Sequence, residues 1–283
     1  MNRNFMELLK ARWAEGKFVC VGLDSEYSKI PGHILKKNFS VANGLVEFNR
    51  AIVEATHDIV CAYKPNLAFY ANHGAEGIDA LWRTLHEIPA IGLGQVPVIL
   101  DAKFGDIGNT NNGYAEFAFD YLHADAVTVH NYLGKEAMKP FIDRKDNGVI
   151  VLCRTSNPGA GEFQDLKHHG AKLYRVVARH IADEWNKNGN CAVVAGATYP
   201  EELAEIRQIV GNMPILIPGI GAQGGEVEKT VVAGQDKNGQ GIIVNSSRGI
   251  IFASSGKDFA EAARRETQKL HDLINQFRKG GVL

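Results

Sequence analysis

The sequence predicts an α/β protein of the (β/α)8 barrel class, a TIM barrel, folded as one domain over residues 1–283. Eight apolar runs of strand length are spaced along the chain: Phe18–Leu23, Ile59–Lys64, Val96–Lys103, Ala126–His130, Val149–Cys153, Cys191–Ala195, Ile215–Pro218 and Gly241–Asn245. Between them lie stretches with helical periodicity, so the order is strand, helix, strand, helix. Runs such as Val96-Pro-Val-Ile-Leu100 and Gly241-Ile-Ile-Val-Asn245 are apolar without alternation, as expected for strands covered on both faces. An open doubly wound sheet is the competing architecture, and the count of eight favours the barrel.

Each element has a local reason. The segments after the first strand (24–58) and after the second (65–95) exceed what one barrel helix needs, so both are expected to carry extra helices or active-site cover. Leu173, Val176, Val177, His180, Ile181 and Trp185 fall on one helical face, and Thr198 precedes Pro200–Val210 as an expected N-cap. Phe259, Ala263, Leu270, Leu273, Ile274 and Phe277 stripe the last helix, leaving Arg264, Arg265 and Lys279 as a charged outer face. No Pro/Ser-rich linker or fixed-period repeat divides the chain.

Charge and composition exclude several function classes. Thirty-one Lys and Arg against 32 Asp and Glu leave a net charge of −1, so no nucleic-acid-binding surface is expected. Residues 1–10 carry no apolar core before Glu7 and Lys10, and no apolar run nears the roughly 18 residues of a membrane span, so a cytoplasmic protein is expected. Cys20, Cys61, Cys153 and Cys191 form no CxxC and sit in apolar runs, where they read as small buried hydrophobes.

Barrel chemistry is built where the strands end. Lys64 ends the second run, Asp101 and Lys103 end the third with Asp106 just beyond, and Asp24 ends the first. Asp101 and Lys103 are two apart, which on a regular strand turns both to one face, and Lys64 would end a strand about 4.8 Å away. Such an alternating Lys-Asp-Lys-Asp set is neutral overall; buried ion pairs stabilise poorly, which favours a functional role over a structural one. His130 and the His168–His169 pair read as a hydrogen-bonded rim histidine and a solvated pair, and no metal site is expected.

The run Pro218-Gly-Ile-Gly-Ala-Gln-Gly-Gly225 satisfies GxGxxG but belongs to the seventh strand and lacks the acidic partner of a dinucleotide site. Loops seven and eight of barrels often hold phosphate, and Asn245-Ser-Ser-Arg-Gly249 follows the eighth strand; Arg248 would give a bidentate contact and Gln223 a side-chain donor. The two clusters together describe a phosphorylated small molecule with its reactive end over Lys64, Asp101 and Lys103.

Ile99-Leu-Asp101-Ala-Lys103-Phe-Gly-Asp106-Ile107-Gly-Asn-Thr110 resembles the DxKxxDIxxT signature of the orotidine 5′-monophosphate decarboxylase family. Further matches are Val21-Gly-Leu-Asp24, Ala62-Tyr-Lys64-Pro, Thr155-Ser156-Asn-Pro-Gly159, Pro218 to Gln223 and Asn245 to Gly249, so the likeness covers residues 18 to 252. The SNPGA and NSSRG forms are similar to the longer bacterial subfamily, although Phe104 stands where that subfamily has Arg.

The resemblance implies cofactor-free decarboxylation of orotidine 5′-monophosphate to uridine 5′-monophosphate, with Lys103 as proton donor. It implies a catalytic array of Lys64, Asp101 and Lys103 completed by Asp106 from a second subunit, hence a homodimer. Asp24 and Lys64 would contact the ribose, Ile107 and Thr110 would reach in from the partner, Ser156 would bond the pyrimidine, and Gln223 and Arg248 would bind phosphate. The Gly-rich segment Thr155–His169 is read as a lid. The alternative is a Mg²⁺-dependent sugar-phosphate aldolase or keto-acid decarboxylase on a related barrel.

Overall fold

The computed structural model describes residues 3–220 and 224–279. Its eight parallel strands are β1 (Val19–Leu23), β2 (Val60–Pro65), β3 (Ile99–Phe104), β4 (Ala126–Val129), β5 (Gly148–Arg154), β6 (Cys191–Ala195), β7 (Ile215–Pro218) and β8 (Ile242–Ser246). They pair in the order β2-β1-β8-β7-β6-β5-β4-β3. Parallel bridges Tyr63–Val98 and Asn66–Asp101 join β2 to β3 and close the barrel. All eight strands match the apolar runs of the sequence to within three residues at each end.

β1, β2, β4 and β6 are buried along their whole length, as strands covered by helices outside and packed side chains inside must be. β3 differs: Ile99 to Asp101 are buried, and the strand opens from Ala102 to Phe104, where it reaches the rim. Interior positions near this end therefore tolerate charge. The four cysteines are all buried and unpaired, and burial pushes the thiols of Cys20, Cys153 and Cys191 up to about 12.

The long connections carry extra structure. After β1 come a 3-10 turn (Tyr27–Lys29) and helices Gly32–Lys37 and Val41–Thr56, the last capped by Ser40 accepting from the Asn43 N–H at 3.2 Å. After β2 come Ala68–Ala71 and Gly74–Ile91. Among the described residues no helix is long and apolar enough to cross a membrane.

Two local expectations are corrected. Tyr199, not Thr198, occupies the N-cap of Pro200–Val210, and no side chain caps it; Pro200 at the first helical position removes one N–H that a cap would have served. In the preceding helix the buried face is Tyr174, Ala178, Ile181 and Trp185, while Leu173, Val176 and Val177 are half-buried. A hairpin of Lys167–His168 with Ala171–Lys172 leads into this helix, and the Leu173 N–H donates to the Leu166 carbonyl at 2.7 Å. In the last helix, Phe259–Phe277, the inner stripe holds, with Leu273 and Phe277 at its margin. Arg264 on its outer side is anchored to Asp58 at 2.6 Å.

Candidate active site

Asp101 is the centre of the site. Its Oδ1 accepts from Lys103 Nζ at 2.5 Å and from Thr128 Oγ1 at 2.9 Å; its Oδ2 accepts from Lys64 Nζ at 2.9 Å and Asn66 Nδ2 at 3.1 Å. Burial opposes the charge on Asp101, but Lys64 and Lys103 outweigh it and hold the carboxyl well below the usual carboxylate range. Lys64 is buried, with a side chain 5% exposed. Burial works against its ammonium, yet Asp101 and then Asp24, at 3.9 Å, raise its pKa above the ordinary value. Both charges therefore persist in the barrel mouth.

The expected convergence of Asp101 and Lys103 is observed, but not by regular strand alternation. Lys103 has φ +51°, in the left-handed region, and the β3–β4 register shifts between Leu100 and Phe104. A lysine in that conformation is strained, which surrounding contacts must hold. Thr128 does so from β4: its hydroxyl accepts from the Lys103 N–H at 3.0 Å while donating to Asp101. The bulge swings Lys103 back over the carboxylate and leaves its side chain 48% exposed at the mouth.

Thr128 and Asn66 were not anticipated from the sequence. Asn66 lies two residues beyond Lys64, and Thr128 is the polar residue within Ala126-Val-Thr-Val129; a hydroxyl in a buried strand beside the charged one was the available signal.

A cavity of about 560 Å³ runs from Lys64 and Asp101 to the eighth loop, lined by Asp24, Gly219, Asn245 and Arg248 among others. Its floor needs Gly22 on β1. A Cβ there would stand 1.9 Å from Ser247 Oγ and 3.3 Å from Asn245 Oδ1. Gly22 pairs with Lys64 of β2, so its missing side chain lets the eighth loop fold down beside the lysine. Ser247 ends that loop, and Arg248 opens the short helix Arg248–Ile251 as an exposed cation with no ion pair among the described residues. Gln223 lies outside the described residues.

Ser156 follows β5 and rests against two other rim loops. A Cβ on Gly196 would be 2.8 Å from the Ser156 Cβ, and one on Gly219 3.8 Å from its Oγ. Behind it, Arg154 donates to Glu202 at 2.6 Å and Gln164 accepts from the Thr155 N–H at 2.9 Å. The expected lid is thus structured, as a turn at Pro158–Ala160, a helical turn at Gly161–Gln164 and the start of the hairpin.

Lys103 and Ser156 stand beside this cavity at the rim without lining it, and Asp106, Ile107 and Thr110 do not line it either. Buried Asn111 shapes their loop, accepting from the Asp106 N–H at 3.0 Å and donating to the carbonyls of Asp106 and Ala137 at 2.5 and 2.6 Å. The Asp106 carboxylate accepts from the Ile107 N–H at 2.7 Å and has no ion pair among the described residues. Ile107 is 60% exposed, and Thr110 is exposed too. One chain therefore assembles three of the four charged members. His130 is a bonded rim histidine, Nε2 3.1 Å from the Gly105 carbonyl, and His168 and His169 lie ring against ring on the exposed hairpin.

Comparison with known proteins places the chain in a family. Residues 17–265 match the model of the orotidine 5′-phosphate decarboxylase / HUMPS family. The chain is 47% identical over 276 residues to an orotidine 5′-phosphate decarboxylase of Azoarcus sp. (strain BH72), covering 97% of this chain and all of that one. It is 48% identical to the enzyme of that name from Ralstonia pickettii (strain 12J), covering 97% and 99%. Among solved structures, OMP decarboxylase of Leishmania donovani superposes with a TM-score of 0.81 at 36% identity, over 96% of this chain and 98% of that one. By sequence and by fold, this chain belongs to the orotidine 5′-phosphate decarboxylase / HUMPS family.

Proposed function

We propose that this protein converts orotidine 5′-phosphate to uridine 5′-phosphate and CO2, a step of pyrimidine nucleotide synthesis. The observation that carries the reading is the Asp101 carboxylate held between Lys64 and Lys103 at 2.9 and 2.5 Å, at the end of a cavity whose other end presents Arg248. Its relatives' names agree with it.

Breaking the bond between carbon 6 and the carboxylate leaves an electron pair on carbon 6 that the pyrimidine ring delocalises poorly. Lys103 Nζ supplies fixed positive charge for that pair and then its proton, giving the 6-H product; water reprotonates the amine. Asp101 orients Lys103 and, facing the departing carboxylate, adds a repulsion that is relieved as CO2 leaves. Arg248, with Gln223, binds the phosphate away from the reacting carbon, so binding energy at one end can order the charged groups at the other. Asp24 and Lys64 take the ribose hydroxyls, and Ser156 the pyrimidine. Every acceptor direction of Asp101 is already used by a lysine, an amide or a hydroxyl, so this carboxylate serves the two ammonium groups.

The reading extends to a homodimer in which Asp106, Ile107 and Thr110 complete the partner's site. The loops leading into the neighbouring helices Gly108–Ala115 and Gly134–Ile142 expose Ile107, Tyr132 (87%) and Leu133, an apolar surface suited to a second copy. Buried free thiols suit a reducing cytoplasm.

The test is the absorbance of orotidine 5′-phosphate with purified protein in EDTA, followed by identification of the product. Conversion to uridine 5′-phosphate supports the reading. Folded protein that leaves the nucleotide unchanged but turns over a sugar phosphate with Mg²⁺ would assign the aldolase alternative instead.

A further inference from the structure

The two insertions after β1 and β2 meet in a buried polar network that ends on both sides of Asp24. Asn49, on Val41–Thr56, accepts from Ser25 Oγ through Oδ1 at 2.6 Å. Its Nδ2 donates to Tyr70 Oη at 3.0 Å and to Thr84 Oγ1 at 3.1 Å. Tyr70 Oη in turn donates to the carbonyl of Leu23 at 3.1 Å. Ser25, Asn49, Tyr70 and Thr84 are each at most 2% exposed.

Both amide protons and the amide oxygen of Asn49 are used, and so is the phenol proton of Tyr70. A buried network satisfied in this way is rigid, because any displacement leaves a desolvated polar group unpaired. The packing that permits it is equally specific: a Cβ on Gly77 would lie 1.7 Å from the Tyr70 carbonyl oxygen, so Gly74–Ile91 can press Tyr70 into place only with glycine there. Asp24 itself is held loosely by its side chain, with the Lys64 ammonium 3.9 Å from an Oδ1 that is buried and has no hydrogen-bond partner. Its position thus comes from the backbone at Leu23 and Ser25.

We propose that Asn49 and Tyr70 are positioning residues for Asp24: the inserted helices act as a brace that fixes its carboxylate against Lys64 and the bound nucleotide. The inference rests on the proposed decarboxylase reading, in which Asp24 meets the ribose.

A double-mutant cycle with orotidine 5′-phosphate tests it. Tyr70→Phe keeps the shape and removes both the bond to Leu23 and the acceptor of Asn49 Nδ2; Ser25→Ala removes the bond on the other flank. In the otherwise native protein each is expected to lower kcat/KM about tenfold or more, the scale of a small misplacement of a site group. In an Asp24→Ala background, already impaired, the same changes should lower kcat/KM by less than about twofold, because the side chain they position is gone. Melting temperatures follow the fold in every variant. Equal losses in both backgrounds, or no loss in the native one, would overturn the proposal. An inactive wild type would instead sink the decarboxylase reading on which it rests.

Discussion

At the scale of single residues, Asp101 decides what the site can do, since one carboxylate holds two ammonium groups of very different exposure. Replacing half-exposed Lys103 by Ala should reduce turnover by about a thousandfold or more while leaving the urea midpoint nearly unchanged. Lys64→Met removes a buried partner and should cost about 3–5 kcal/mol in urea unfolding, since Asp101 stays buried. That difference has a definite pH course. Asp101, whose folded pKa is depressed, contributes stability in full above the ordinary carboxylate range and loses it as pH falls through the lowered value. Lys64, whose pKa is raised, contributes fully below its ordinary 10.5 and loses that as pH rises beyond it. Unfolding of wild type and Lys64→Met should therefore differ by a constant amount from about pH 5 to pH 10, and by less outside that window. The identities of these groups were legible in the chain because charge at the end of an apolar run is conspicuous. The left-handed turn at Lys103 and the role of Thr128 were not, since a strained backbone follows from its surroundings rather than from local propensity.

At the scale of elements, the strands were legible because burial on both faces leaves continuous apolar runs, whereas helix faces and caps depended on neighbours that spacing does not show. The hairpin before Leu173 and the uncapped start at Pro200 are the examples. Two close contacts between elements separate stability from function. At the N-terminal end of the barrel, buried Arg207 donates to the carbonyls of Gly211, Met213, Gly234 and Gly241 at 2.5 to 2.7 Å, tying helix ends to the starts of β7 and β8. Arg207→Met should lower stability by about 3 kcal/mol in urea, leaving kcat of the folded fraction unchanged. At the other end, Gly22→Ala forces a Cβ into Ser247 and moves the loop that carries Arg248. Its signature should be a KM for the nucleotide raised about tenfold or more, with a smaller change in kcat.

At the scale of the whole molecule, the barrel holds three charged groups hydrogen-bonded together at its own mouth, while Asp106 makes no ion pair among the described residues and Ile107 and Thr110 are exposed. If two chains share each site, Lys103→Ala and Asp106→Ala dimers, each inactive alone, should regain activity when mixed and allowed to exchange subunits. Random exchange puts one intact site in half of the dimers, so about a quarter of wild-type activity is expected. Sequence alone brought this arrangement into view only through a family signature, because no property of one chain's spacing reveals which copy a side chain serves. The same limit applies to the brace around Asp24, whose bonded partners are 21 to 47 residues apart and meet only in the folded insertions.

The most direct measurement is single-turnover release of CO2 from carboxyl-labelled orotidine 5′-phosphate in EDTA, comparing wild type with Lys103→Ala at equal nucleotide occupancy. An array centred on Asp101, with Lys103 as both charge and proton source, predicts rapid release by the wild type and release slowed at least about a thousandfold in the variant. Comparable rates in the two proteins would contradict the assignment of Lys103 and the mechanism built on it.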